Sequence, residues 1–408
     1  MKKDILFLCQ FFYPEYNSSA TLPFDTAKYL AEHGFSVGAL CGYPKEYNND
    51  GNVPMKEIKD GVDIQRIKYI QLKRGSKIGR LINYFSFTFK AMLHIGKLKN
   101  YKSVIVYSNP PILPLVAVMA NVLFKTKIVF VSYDVYPEVA YASKTLNPGS
   151  LISKVMNKLN HQLFKRVTKV ISLTDEMKEF LLENRKELTE DKVVTIPNWA
   201  HEKLIVPSKE AYNRFGYNEN QFIVSYFGNM GTCQDMETLM EAVEKLRNDE
   251  NIKFLFVGHG NKVDSIREKI RKDQLKNIQL LDFLTGKDFE QAVAISSCCV
   301  VSLEKGLKGT CAPSKYYSYL QGGKPILGIV EEGSYLEEEI TKEKLGYVAH
   351  NQDSDLLAKH IKNMANNNRS ECLEIGKRVT QVYMNNYDIE ICLNKYVDEF
   401  YKAVERNV

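Results

Sequence analysis

The strongest constraint on the fold is a rhythm, played twice, of short apolar runs separated by longer amphipathic ones. In the first half "DILFLCQ" (4–10) reads as a buried strand, and "TLPFDTAKYLAEHG" (21–34) as an amphipathic helix closed by Gly34. "FSVGALCG", "SVIVYS" (103–108), "KIVFVSYD" (127–134) and "KVISLT" (169–174) follow as strands, with helical patterns between them. Apolar strands alternating with helices of about 10–15 residues predict a parallel sheet covered on both faces. "KVVTIPNWAHEKLIVPSKE" (192–210) contains prolines and has little period, so it is read as a connector. Beyond it the rhythm restarts with "FIVSYFG" (222–228), a helix over 234–249, "KFLFVGHG" (253–260) and a helix over 262–273. "IQLLDFL" (278–284), "CCVVSLE" (298–304) and "PILGIVE" (325–331) complete it.

The expected fold class is therefore α/β, with two Rossmann-like domains. The first covers 1–200 together with a closing helix (385–408) that packs back across it, and the second covers 206–384. The length agrees, since 408 residues exceed what one ordinary core accommodates. Two such domains facing each other would line a cleft with the carboxyl ends of strands and with helix N-termini, an environment suited to an anion.

Composition excludes several classes. With 44% hydrophobic and 25% charged residues the chain is neither disordered nor fibrous. Its eight cysteines are scattered with no C-x-x-C pair, which argues for reduced thiols and against a disulfide framework or zinc site. "MKKDILFLCQFFYPE" lacks the length and small-residue cleavage site of a signal peptide, and "PPILPLVAVMANVLF" (110–124) is too short to span a bilayer. The expected location is cytoplasmic.

Charge is unevenly divided. Residues 1–206 sum to +10 and residues 207–408 to −4. No Asp or Glu occurs from Ile64 to Tyr133, a span with twelve Lys and Arg. Inside it, "KIGRLINYFSFTFKAMLHIGKLK" (77–99) repeats Ile78, Leu81, Phe85, Phe89 and Met92 at helical spacing. Such a helix either packs its apolar stripe on the sheet or lies in a membrane interface; the lack of acids favours the membrane. Lys73, Arg74, Lys77 and Arg80 are the candidate membrane or acceptor contacts. No nucleic-acid-binding motif is present, so that partner is not expected.

Five loops are candidates for chemistry. "FFYPEYNSSATLPFD" (11–25) places Asn17 and Ser18 before the first helix, either as turn and cap residues or as contacts for a phosphate. "FGNMGTCQDMETLMEA" (227–242) offers Gly228, Asn229 and Gly231 at a strand-to-helix turn where backbone can approach a ligand. "VGHGNK" (257–262) adds Lys262, placed to face a phosphate. "TCAPSKYYSYLQGGKPIL" (310–327) brings Thr310, Ser314, Lys315 and Ser318 to the start of a short helix. Hydroxyl, ammonium and backbone N–H groups together can hold a diphosphate without a metal, although Pro313 also suits an ordinary helix start. "SYDVYPEVAYA" (132–142) sets Asp134 and Glu138 among tyrosines, as a sugar surface with acid–base groups or, for Asp134, as a helix cap.

Taken in order, "FFYPEYNSSA", "AKYLAEHGFSV", "DVYPE", "VVTIPNW", "SYFGNMGTCQDMETLMEA", "FLFVGHG" and "APSKYYSYLQGGKPIL" resemble the retaining family-four glycosyltransferases of GT-B architecture, of the capsule and O-antigen type. The resemblance spans nearly the whole chain. It implies a nucleotide-sugar, commonly a UDP-sugar, in the second domain and a glycan acceptor, often polyprenyl-diphosphate-linked, in the first. It implies a peripheral enzyme on the inner face of the plasma membrane that needs no metal or other cofactor. Gly228, Asn229, Ser314 and Lys315 would then meet the diphosphate, Thr310 would place the sugar, and Asp134 and Glu138 would orient the acceptor or take its proton. The chain departs from the family where Thr310 and Ser318 occupy the places of a glutamate pair. It departs again at Asn17-Ser18, in place of two glycines, and lacks the usual Arg and Lys in "GNMGTCQDMETL". Two other functions fit the same sequence: an inactive GT-B subunit that orients a partner transferase, and a sugar-nucleotide epimerase.

Overall fold

The computed structural model describes residues 2–45, 52–72, 77–201, 206–367 and 369–404. Two compact units account for them. The first comprises Met1–Asn198, Gly309–Ala312 and Glu390–Val408; the second comprises Trp199–Lys308 and Pro313–Ile389.

Unit 1 is built on eight strands: β1 (Lys3–Cys9), β2 (Val37–Gly42), β3 (Lys56–Lys59), β4 (Val62–Ile67), β5 (Tyr101–Tyr107), β6 (Lys127–Ser132), β7 (Lys169–Ser172) and β8 (Val193–Thr195). They lie in the order β3-β4-β2-β1-β5-β6-β7-β8, parallel except for β3 against β4. The helices are α1 (Ser18–Glu32), α2 (Lys77–Leu93), α3 (Pro114–Phe124), α4 (Glu138–Ala142), α5 (Leu151–Arg166) and α6 (Asp175–Asn184). Strands β1, β2 and β5 are buried almost throughout, as expected of a sheet covered on both faces. Leu6, Leu8, Val104 and Val106 of the sheet share one core with Phe87 of α2, Val116 of α3 and Phe164 of α5. Helices α2, α3, α5 and α6 thus form a single layer on one face.

Unit 2 begins with α7 (Lys209–Arg214) and carries β9 (Phe222–Asn229), β10 (Ile252–His259), β11 (Ile278–Leu281), β12 (Cys298–Ser302), β13 (Ile326–Val330) and β14 (Gly346–His350). All are parallel, in the order β11-β10-β9-β12-β13-β14. Its other helices are α8 (Met236–Lys245), α9 (Val263–Lys272), α10 (Gly286–Ile295), α11 (Lys315–Gln321), α12 (Tyr335–Lys342), α13 (Ser354–Asn367) and α14 (Arg369–Asn386). The last helix, α15 (Ile389–Val404), belongs almost wholly to unit 1. There Tyr29 of α1 donates to Asn394 at 3.0 Å, and Phe35 meets Tyr401 with ring centres 4.9 Å apart.

Three local expectations need correction. The expected connector over 192–210 contains β8, because Ile196 N–H bonds Ser172 and draws the segment onto the sheet edge. The expected single helix over 77–99 ends at Leu93 and passes into a tight 3-10 turn over Ile95–Asn100. The closing helix starts at Ile389; the residues before it end a separate helix, α14.

Candidate functional site

Several of the residues singled out by sequence lie at strand ends, some in each unit.

In unit 2 the first cluster forms where β9 ends. Gly228 has φ +106°, a conformation that side-chain-bearing residues avoid, and turns the strand into the Asn229–Gly231 loop. Gln234 holds that loop, its side-chain oxygen accepting from Gly231 N–H at 3.0 Å and from the Asn229 amide at 3.3 Å. The Lys315 side chain, from the first turn of α11, reaches the same place. Its ammonium lies 3.9 Å from the Tyr226 ring centre and donates to the Tyr226 hydroxyl, which donates in turn to the Asn229 carbonyl at 2.6 Å. Burial pushes Lys315 down from 10.5 to about 7, since no carboxylate neighbour appears among the described residues to offset it.

Helix α11 is held in place by its aromatic residues. Tyr316, Tyr317 and Tyr319 are fully buried. The Tyr319 hydroxyl accepts from Phe227 N–H at 2.9 Å, and Tyr316 donates to Glu339 at 3.0 Å. These tyrosines therefore clamp α11 to β9 and α12, and Lys315 inherits a fixed position from them. Ser314 is exposed and makes no side-chain cap, while Ser318 is partly buried and its carbonyl accepts from Gly322 N–H at 2.9 Å.

Lys262 sits in a different setting from the one expected. Its ammonium donates to the Gln234 carbonyl at 2.7 Å and to Glu237 and Glu304 at 2.8 Å each. Burial lowers its pKa, but the two carboxylates more than offset that, and the net direction is up. Asp235, Glu237 and Glu304 have ligand atoms within 4.8 Å of one another, spacing that would suit a cation. The Lys262 ammonium already supplies a positive charge to two of them. It ties the loop together and is not a free cation facing a phosphate.

In unit 1 the cluster lies at the carboxyl edge of the sheet. Asp134 follows β6, its N–H donating to Ser108 Oγ at 3.1 Å. The segment Gly309–Ala312 crosses beside it: Cys311 pairs with Asp134 as an isolated antiparallel bridge, and Val135 N–H donates to the Thr310 carbonyl at 2.7 Å. Thr310 thus belongs to unit 1, and Ser314, Lys315 and Ser318 belong to unit 2. Burial lifts the Asp134 carboxyl from 3.8 to about 6, and no bond to that carboxyl appears among the described residues. Glu138 differs, since both its oxygens accept from Arg185, at 2.7 and 2.8 Å. Arg185 also lies 5.6 Å from the Phe164 ring centre and donates to the Tyr136 carbonyl. Of the two carboxylates read as catalytic, Asp134 is available for chemistry and Glu138 is occupied in holding its loop.

Asn17 precedes α1 without capping it, and Ser18 is exposed in its first turn. Both polar atoms of the Asn17 amide are buried without a partner, as are Tyr107 Oη and one oxygen each of Gln10 and Asn109. Gln10, Tyr107 and Asn109 follow or end adjacent strands β1 and β5, so unsatisfied polar atoms gather along this edge. Sequence reasoning missed these, and it missed Tyr226 and Arg185. The available signal was a polar side chain ending an apolar strand run. Arg80 is exposed, whereas Lys73, Arg74 and the Lys77 side chain lie outside the described residues.

Comparison with known proteins shows what the chain is similar to. Residues 208–382 match the family described as "Glycosyl transferases group 1". The chain is 26% identical over 294 residues to the probable glycosyltransferase WbjE of Pseudomonas aeruginosa, covering 71% of this chain and 72% of that protein. It is 21% identical over 329 residues to the putative colanic acid biosynthesis glycosyl transferase WcaI of Escherichia coli K12, covering 77% and 80%. Anabaena HepE in complex with UDP and glucose superposes with a TM-score of 0.72 at 14% identity, over 98% of this chain and 100% of that one. Residues 208–382 thus match a glycosyltransferase family model, and the two Rossmann-like α/β sheets are a fold shared with HepE.

Proposed function

We propose that the protein transfers a sugar, with retention, from a nucleotide diphosphate donor of the UDP class to a lipid-linked glycan of the cell envelope. The observation that carries the reading is the Lys315 ammonium, held beside the Gly228 turn and against Tyr226, with no carboxylate partner among the described residues. A desolvated ammonium without a carboxylate is unstable by itself and gains most from a ligand that brings its own negative charge. In transfer the sugar C1–oxygen bond breaks and its electrons pass to the departing diphosphate, whose growing charge Lys315 and the Gly228–Gly231 loop would meet. The acceptor hydroxyl bonds to C1 and gives up its proton, for which Asp134 in unit 1 is the candidate acceptor.

A metal-free mechanism is part of the proposal, and Lys262 supports it by placing an ammonium on Glu237 and Glu304, two of the three carboxylates of that acidic cluster. The cell-envelope acceptor is supported by WcaI, described for colanic acid biosynthesis, and the UDP donor by HepE with UDP and glucose. These likenesses favour transfer over an epimerase or an inactive subunit. Such an acceptor would draw the enzyme to the inner membrane surface as a peripheral protein; among the described residues no helix is long and apolar enough to cross a membrane.

Calorimetric titration with UDP and a panel of UDP-sugars tests the donor. Binding of UDP and of at least one UDP-sugar is expected. No heat with any nucleotide-sugar would sink the enzyme reading.

A further inference from the structure

The outer side of unit 1's helical layer is apolar across three helices. On α2 the stripe of Ile78, Leu81, Ile82, Phe85, Phe89 and Leu93 points away from the core, while Phe87 and Ala91 point into it. On α3 the outward residues are Leu115, Met119, Val122 and Leu123, opposite buried Val116, Ala117 and Ala120. On α5 they are Leu151, Ile152 and Val155, in the first turns of a helix whose Leu163 and Phe164 enter the same core. These thirteen side chains keep between 36% and 77% of their surface exposed. Soluble proteins do not normally leave so many large apolar groups in water on one side of a layer.

The charges carried by these helices have one sign, although Glu187 meets His161 in the second half of α5. From Ile64 to Thr174 the only acids are Asp134 and Glu138. Both lie at the carboxyl edge of the sheet, one following β6 and the other paired with Arg185. Helices α2, α3 and α5 contain no acid, and exposed Arg80, Lys90, Lys99, Lys125, Lys154 and Lys158 stand on or beside them. Acids resume at Asp175 and Glu176 on α6, which bounds the surface on that side.

We infer that the outer faces of α2, α3 and α5 together form a docking plate for an anionic lipid bilayer. The apolar side chains enter the headgroup and acyl boundary, and the ring of Lys and Arg meets lipid phosphates. The inference rests on the lipid-linked acceptor proposed above and extends it, since α2 alone would be a narrow strip. A protein partner would have to match a wide basic and apolar plate with no acid on it, whereas a bilayer with acidic lipid does so by composition.

The test is sedimentation of the full-length protein with vesicles of phosphatidylcholine alone, or of phosphatidylcholine and phosphatidylglycerol in equal parts. The wild type is expected to sediment with the mixed vesicles and largely remain soluble with the neutral ones. Phe85→Ser with Phe89→Ser, and separately Leu151→Ser with Ile152→Ser, should each weaken partitioning by about tenfold. All four positions are exposed, so circular dichroism should show unchanged folding. Failure of the wild type to bind mixed vesicles at low salt would overturn the inference. So would wild-type partitioning of the α5 variant, which would reduce the plate to α2, or a dimer in solution dissolved by the same substitutions, which would make the face a self-interface. UDP calorimetry on the same preparations separates the readings: retained UDP binding with no lipid binding removes only the plate, and the reverse removes only the donor site.

Discussion

The Lys315 ammonium and the Tyr226 ring stack at 3.9 Å, with the tyrosine hydroxyl accepting from the lysine and passing a hydrogen bond to the Asn229 carbonyl. Removing the charge should therefore affect binding more than architecture. Lys315→Ala is expected to weaken UDP affinity by about tenfold to a hundredfold, the range for losing one charged contact to a phosphate. Unchanged affinity by calorimetry would show that the lysine does not meet the nucleotide.

The same lysine predicts a pH signature. Its folded pKa is about 7 against 10.5 for the free group, so between those values the unfolded chain binds a proton that the folded chain has lost. Stability should rise with pH through that window, the burial cost being present in full below it. Lys315→Met should flatten the rise in urea titrations. A bound diphosphate favours the ammonium, so UDP binding at about pH 8 should take up protons, read as a buffer-dependent heat. A heat independent of buffer would contradict the assignment.

Asp134 has the opposite sign. Its carboxyl is lifted from 3.8 to about 6, so the folded chain holds a proton that the unfolded chain releases between those values. Stability should fall as pH rises through that window and stay lower above it. Asp134→Asn should raise the melting temperature at neutral pH while slowing sugar transfer about a hundredfold. Full transfer activity in a stabilised variant would remove Asp134 from the chemistry.

Arg185 and Glu138 are expected to couple. Arg185→Met should destabilise by about 2 kcal/mol, because it strands a partly buried carboxylate and removes one of the donors to the Tyr136 carbonyl, leaving Asn160. In a double-mutant cycle with Glu138→Gln the two effects should be clearly non-additive. Simple additivity would mean that the pair contributes nothing to the loop.

Lys262→Met leaves Glu237 and Glu304 facing each other beside Asp235 without a counter-charge. The variant should melt lower than wild type and regain part of the loss in millimolar calcium or manganese. Wild type should show no such gain. Equal stabilisation of both by the metal would refute the view that the ammonium occupies this cluster.

Much of the fold could be read directly from the chain. The strand at "FIVSYFG" is found as Phe222–Asn229, and "KFLFVGHG" as Ile252–His259, because a strand buried on both faces announces itself as an unbroken apolar run. Strand β14 escaped, as "GYVAH" is half-exposed and carries no such run. The loops of unit 2 drew attention through glycines and lysines, yet Lys262 and Lys315 looked alike in sequence. One is neutralised by Glu237 and Glu304 and the other is packed on a tyrosine.

Periodicity and residue type alone determined that this chain forms two largely parallel sheets and that its first half lacks acids where α2 would stand. They did so because burial of a strand and the sign of a surface depend on the composition of local segments. Tertiary structure decided which charges are compensated and which are not. Partners such as Arg185 for Glu138, 47 positions away, or Tyr226 for Lys315, 89 positions away, meet only when the sheet has assembled. Desolvation, which sets Asp134 near 6 and Lys315 near 7, is likewise a property of the packed interior and not of any stretch of sequence.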